Sequence, residues 1–181
     1  MCNQKIEAQV TPPLRPADHV RGAVTAPYLL IEYADFQCPQ SGKAYATIKS
    51  LQARLGARFC FVFRHFPQSL RYPQAQKAAE TAEAAGAQGK FWEMHDLLFE
   101  QQQALTDGDL IAYADQLGLN VERVLQDLTD HVHEPRIQAD IDSGYQYGVE
   151  RAPTFFIGIR HQGSENLESL VLKMLQADVE P

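Results

Sequence analysis

Cys38 is followed by Pro39, Gln40 and Ser41, and this short run is where the chain could do covalent chemistry. The nucleophile of thiol chemistry is the thiolate, which a free cysteine holds only as a minor form near neutral pH. Proline suits the first turn of a helix, so Pro39 places Cys38 near an N-cap. The unpaired N–H groups and partial positive charge of a helix start favour an anion, so Cys38 is expected to be held more in its thiolate form. The hydroxyl of Ser41, one turn on, is placed to donate a hydrogen bond to that sulfur. A strand-to-helix turn lies at the carboxyl edge of a parallel sheet, where sites collect, so Cys38 is also expected to be accessible. The same residues fit a cysteine that merely caps a helix, and spacing alone does not decide between the two.

The other sulfurs and imidazoles carry weaker signals. Cys60 lies inside "RFCFVFRHF", an apolar run, and reads as a small buried hydrophobe. Cys2 falls in a polar tail and reads as incidental. Three cysteines do not make a disulfide framework, and an odd count favours a reducing compartment. His131 and His133 form an H-x-H pair, but no cysteine or further histidine stands at metal-ligand spacing, so they read as a solvated helix start and no metal site is expected. His95 reads as a packed helix residue.

The elements that must position Cys38 follow from periodicity. "YLLIEYADF" predicts a central strand buried on both faces. Ala44, Ile48, Leu51 and Leu55 recur at helical spacing after Pro39, and Gly56 is placed to end that helix. "ARFCFVF" predicts a second strand, which completes a βαβ unit with a right-handed crossover. From about 73 to 148 the pattern is helical. Pro73 opens a segment whose face is Ala75, Ala78, Ala79, Ala82 and Ala85. Thr106 and Asn120 read as N-caps, and Pro135 opens a last helix. "PTFFIGIRHQG" returns to two short antiparallel strands with Gly158 at their turn or bulge. Leu167, Leu170, Val171 and Met174 predict a C-terminal helix. The fold class is therefore α/β, with an N-terminal arm over 1–18 and one domain over 19–181. The helical block interrupts that domain as an insertion after the second strand.

Composition sets outer limits. The chain has 181 residues, 45% of them hydrophobic and 22% charged, the profile of an ordinary folded domain. A net charge of −7 gives no case for nucleic-acid binding. No apolar run is long enough for a bilayer-spanning helix, so no membrane partner is expected. The first residues, "MCNQKIEAQVTPPLRP", are polar and carry no apolar leader. With the cysteine count this predicts a cytoplasmic setting, or a periplasmic one had a leader been removed.

Four stretches, "EYADFQCPQSGKAY", "FVFRHFP", "AEAAGAQGKFWEMHDLLFEQQ" and "APTFFIG", in this order and spacing, resemble the DsbA-like family of thiol–disulfide oxidoreductases. The resemblance runs from about Asp18 to the C-terminal helix. It implies a thioredoxin-like fold with a helical insertion after the second strand. Cys38 matches the family's attacking cysteine, and Pro39 and Gln40 match its variable pair. Pro153 matches the proline preceded by a cis bond. The backbone of the residue before that proline, here Ala152, is expected to pair with an extended substrate. Glu32, six residues before Cys38, resembles the buried acid beneath thioredoxin-type sites, and burial in an apolar strand is expected to raise its pKa. Arg64 and His65 fit the family pattern at the end of the second strand, where holding the loop is their expected role.

The departure is Ser41, where the resemblance calls for a second cysteine. A site with one sulfur cannot store two electrons as an internal disulfide, so exchange must stop at the mixed disulfide until an outside thiol arrives. The chain thus reads as a monothiol disulfide oxidoreductase with no bound cofactor. Its expected partners are protein or small-molecule thiols and disulfides, with glutathione or a similar thiol as co-substrate, and a monomer or weak dimer is expected. Two alternatives stand beside it. One is a transferase or isomerase resembling the kappa-class glutathione transferases. The other is a non-catalytic module that binds extended peptides beside Pro153.

Overall fold

Two seven-residue strands form the centre of the molecule: β2, Tyr28–Ala34, and β3, Phe59–His65. They run parallel, with Tyr28 opposite Phe59 and Ala34 opposite His65. Every residue of β3 is buried, and so is every residue of β2 except Leu29, as near-continuous apolar runs require of central parallel strands. The computed structural model describes residues 11–157, 160–169 and 171. Cys2, Gly158 and Met174 lie outside the described residues, as does Leu170.

The crossover between these strands is α1, Pro39–Leu55, with Cys38 as its N-cap and Gly56, at φ +51°, as its C-cap. Ala44, Ile48 and Leu51 are buried as their spacing predicts. Tyr45 joins them, while Leu55 at the last turn is only half-buried. Two antiparallel additions widen the sheet on the β2 side. β4, Thr154–Phe156, pairs with β2, and β5, Arg160–Gln162, pairs with β4. On the other side β1, His19–Arg21, pairs antiparallel with β3, giving the order β1-β3-β2-β4-β5. Strand β1 has no counterpart in the sequence reading. Its three residues are all half-buried and show no alternation; what makes them a strand is the open edge of β3.

Between β3 and β4 lie five helices: α2 Ala75–Gly86, α3 Phe91–Glu100, α4 Asp107–Gln116, α5 Val121–Thr129 and α6 Glu134–Gln146. The alanine face of α2 is buried as its spacing predicts, although the helix starts at Ala75, two residues after Pro73. Thr106 closes a capping box with Asp109, and the Asn120 side chain accepts from the Arg123 N–H. Leu30, Ala34, Phe61 and Phe63 face the larger core with α1 and the helical block. Ile31, Tyr33, Cys60 and Val62 face the smaller one with Phe66, Val149 and Phe156. Among the described residues no helix is long and apolar enough to cross a membrane.

The end of the N-terminal arm is tied into this core. Arg64 is fully buried and donates to both carboxylate oxygens of Asp18 (2.9 and 2.7 Å), to the Tyr33 hydroxyl (2.7 Å) and to the Pro13 carbonyl (2.6 Å). Arg15 pairs with Asp18 and Asp140, and Asp140 also accepts from Arg136 (2.6 Å) and from the His65 N–H (3.0 Å). Arg64 therefore anchors the chain before β1 to the sheet, while the Glu83 carboxylate on α2 accepts from the His65 ring Nε2 at 2.8 Å.

Candidate active site

The turn from β2 into α1 is held by three residues that no periodicity marks. The Asp35 carboxylate accepts from the N–H of Gln37 and of Gln68, both at 2.8 Å, and the Asp35 carbonyl accepts from the Cys38 N–H at 3.1 Å. Burial pushes the Asp35 carboxyl up to about 6, against the pull of these N–H donors. Gln102, just past α3, donates one amide to both the Phe36 and the Cys38 carbonyls (2.8 and 2.9 Å). A Cβ at position 42 would come 2.4 Å from the Gln102 side chain, so Gly42 is what lets this clamp approach α1.

Cys38 has extended backbone at φ −74° and ψ 119°, as an N-cap requires, with Pro39 opening the helix. Its sulfur is not freely accessible: the residue is only 3% exposed, and the thiol donates to the Ala152 carbonyl at 3.6 Å. The chain at Ala152–Pro153, joined by a cis peptide bond, packs over the sulfur. Sequence spacing places Cys38 on a helix end but cannot show which distant segment covers it.

Ser41 is fully buried, and its hydroxyl accepts from the Asp35 N–H at 3.3 Å. The contact recorded for the thiol is thus with Ala152 and not with Ser41. Glu32 is buried in β2 between Phe63 and Phe155, and its Oε1 has no hydrogen-bond partner among the described residues. Burial pushes its carboxyl well above the usual glutamate range.

A cleft of about 340 Å³ opens at Cys38. Gln40, Ala152 and Pro153 line it with the cysteine, so four of the seven residues marked in the sequence meet there. Pro39, Ser41 and Glu32 do not line it. Gln68 does, and its side-chain carbonyl accepts from the Ala152 N–H at 3.1 Å. Both backbone polar groups of Ala152 are therefore already engaged, one by Gln68 and one by the thiol. Arg71, Tyr72 and Arg151 complete this part of the wall. The Tyr72 phenol is raised by burial and by the Cys38 sulfur beside it. Gln68, Arg71 and Tyr72 were not legible: "QSLRY" is an irregular loop with no period, and only the fold brings it to the turn before α1; Arg151 stands beside the marked Ala152 but carries no motif of its own.

The remaining histidines stand apart from the cleft. His95 is buried among Phe36, Phe63 and Phe99, with Nδ1 2.8 Å from Asp96. His131 and His133 do not share a ligand; they pair separately with Glu80 (3.0 Å) and Asp127 (3.2 Å). Cys60 is fully buried in the smaller core, where burial raises its thiol pKa.

A family model described as Thioredoxin matches residues 15–175. The chain belongs to the thioredoxin family. This thioredoxin-family chain also superposes on the oxidised form of BdbD from Bacillus subtilis with a TM-score of 0.78 and 19% identity, over 93% of its own length and 98% of BdbD. A thioredoxin-like oxidoreductase from Silicibacter pomeroyi gives 0.76 at 22% identity, over 92% and 95%. The thiol–disulfide exchange protein α-DsbA2 from Wolbachia pipientis gives 0.74 at 17%, over 90% and 88%. These likenesses show the thioredoxin-like fold of DsbA-type proteins. In sequence, the chain is 45% identical over 154 residues to Na(+)/H(+) antiporter NhaA 1 of Salinispora arenicola, and 43% over 161 residues to NhaA 3 of Salinispora tropica. The match covers 84% and 88% of this chain but 24% of each antiporter, so the chain spans about a quarter of the length of these curated relatives.

Proposed function

We propose that the chain is a thiol–disulfide oxidoreductase working through one nucleophilic cysteine and mixed disulfides. The observation that carries this reading is the position of Cys38: a helix N-cap that lines a cleft, against the Ala152–Pro153 segment, with a serine at the place of a second sulfur. Cys60 does not replace that sulfur, because it is buried in the core on the other face of the sheet. In the forward step the Cys38 thiolate attacks one sulfur of a disulfide. The Cys38–substrate disulfide forms, the old S–S bond breaks, and the other half leaves as a thiolate. A second thiolate from solution then attacks the mixed disulfide and returns Cys38 to its reduced form. Gln40, Ala152 and Pro153 form the substrate-binding surface, with the exposed Pro39 beside it at the start of α1, and Glu32 acts on the site from below through its carboxyl group. Glutathione or a similar small thiol serves as co-substrate.

Antiport, the activity the curated relatives are named for, belongs to chains about four times longer than the shared stretch and supports no step here. A second reading, a non-catalytic peptide-binding module, is favoured by the burial of the thiol. Incubation with oxidised glutathione followed by intact-protein mass separates the two. The oxidoreductase reading expects one adduct per chain, lost in Cys38→Ser and released by excess reduced thiol. An unmodified Cys38 under conditions that modify a model thiol would move the binding module to first place.

A further inference from the structure

The cleft over Cys38 carries charge of the opposite sign to the molecule. The chain has a net charge of −7, yet among the described residues the cleft wall holds two guanidinium groups, Arg71 and Arg151, and a single carboxylate, Glu165. The two arginines come from separate places, the loop after β3 and the residue just before Ala152, and converge on the same sulfur only in the folded chain. Both are exposed, and neither forms an ion pair with a carboxylate among the described residues. Arg71 lies over the Tyr72 ring at 5.3 Å, which orients it along the cleft wall. Other arginines of the chain are committed elsewhere: Arg15, Arg21, Arg54, Arg64 and Arg136 all face carboxylates.

We infer that the cleft selects disulfides and thiols carrying carboxylates close to the sulfur, with Arg71 and Arg151 as the specificity-determining residues. This rests on the exchange reading and names its substrate class: small peptide-like disulfides of net negative charge. Glu165 gives the ammonium group of such a molecule a partner. The exchange itself is unchanged: the Cys38 thiolate displaces one half of the anionic disulfide as its thiolate and keeps the other as a mixed disulfide. Rim charges act mainly on the rate of encounter and on its salt dependence, so the effect is expected in the rate of adduct formation.

Three disulfides of different charge test this: oxidised glutathione (anionic), bis(2-hydroxyethyl) disulfide (neutral) and cystamine (cationic). The rate of Cys38 adduct formation with each is divided by its rate with a small neutral model thiol. A chain of net charge −7 with no special site should favour cystamine. The inference expects the reverse order, with oxidised glutathione roughly tenfold ahead of cystamine at low salt and the gap narrowing as salt rises. The ratio should collapse in Arg71→Gln/Arg151→Gln and persist in Arg71→Lys/Arg151→Lys, which keeps the charge. Cystamine ahead in the parent chain, or an unchanged ratio in the glutamine pair, overturns the substrate class while leaving exchange at Cys38 intact. Failure of all three disulfides to modify Cys38 overturns the exchange reading and this inference with it.

Discussion

Glu32 holds a carboxyl in the middle of β2 with one oxygen lacking a hydrogen-bond partner among the described residues, and burial raises its pKa well above the ordinary value of 4.5. A raised carboxylate pKa stabilises nothing above that value: the folded chain keeps the proton that the unfolded chain releases, so stability falls as pH rises from about 4.5 towards the folded pKa. Glu32→Gln removes that dependence with little change in volume. Urea melts of the two proteins should therefore coincide near pH 4 and diverge in favour of the variant at pH 8. If the glutamine protein is the less stable at pH 8, the carboxylate has a stabilising partner there. The same pair should also differ in the pH profile of Cys38 alkylation, and superimposable profiles would show that Glu32 does not act on the site.

At the scale of the element, the start of α1 is a clamped object. Gln102 ties the Phe36 and Cys38 carbonyls, Asp35 ties the N–H groups of Gln37 and Gln68, and Ser41 stands inside the first turn. Gln102→Ala leaves two turn carbonyls to find other donors, a loss of about 1–3 kcal/mol for buried groups. It is expected to loosen the turn and change the alkylation rate of Cys38. An unchanged rate would mean that α1 itself suffices to hold the thiol. Ser41→Cys places two sulfurs one helical turn apart on this framework, and closing so short a loop costs little chain entropy. The fold should tolerate the exchange, since serine gives up only a 3.3 Å contact from the Asp35 N–H. The variant is expected to oxidise a reduced test protein without added glutathione, while the parent needs an external thiol in each cycle. A variant that forms no internal disulfide, or forms one with no gain in activity, would show that the pocket as well as the missing sulfur limits the reaction.

Across the whole molecule, buried ionisable groups set the acid limit. His95 lies in an aromatic cluster, where burial pushes its pKa down to about 4 despite the hydrogen bond with Asp96. The unfolded chain takes up a proton near 6.5, so between pH 6.5 and 4 the unfolded state binds more protons and stability falls with falling pH. The full loss is about 3 kcal/mol. His19 is lowered by burial as well and acts in the same direction. Stability measured from pH 7 to 4 should fall less steeply in His95→Phe than in the parent, and equal slopes would place the acid sensitivity elsewhere. The other global tie is Arg64, which joins residues 13 and 18 to β3 and Tyr33. Removing one member of a buried ion pair strands the other charge, so Arg64→Met is expected to cost about 3–5 kcal/mol in a denaturant melt. A loss under 1 kcal/mol would show that the segment before β1 is held by other contacts.

The amino-acid sequence alone specified whatever depends on neighbours along the chain. The runs at 28–36 and 57–63 are mostly apolar without alternation, the pattern of central strands buried on both faces. Pro39 fixes a helix start, Gly56 a helix end, and Thr106 and Asn120 cap through bonds three residues long. Cys38, Gln40, Ala152 and Pro153 could be marked because their motifs are local, and the cleft brings these four together. Tertiary structure decided the rest, because those properties are distances between segments remote in sequence. Strand β1 exists through the edge of β3. The sulfur is covered because Ala152, 114 residues away, lies against it, and Gln102 clamps the turn from 64 residues away. Ser41, one turn from Cys38 along the helix, bonds backward to Asp35 because an N-cap side chain and an inward-facing side chain of the same turn point to different places. The sign of charge in the cleft follows the same logic: a net charge is a sum over the chain, whereas the field at one sulfur depends on which few guanidinium groups the fold brings beside it.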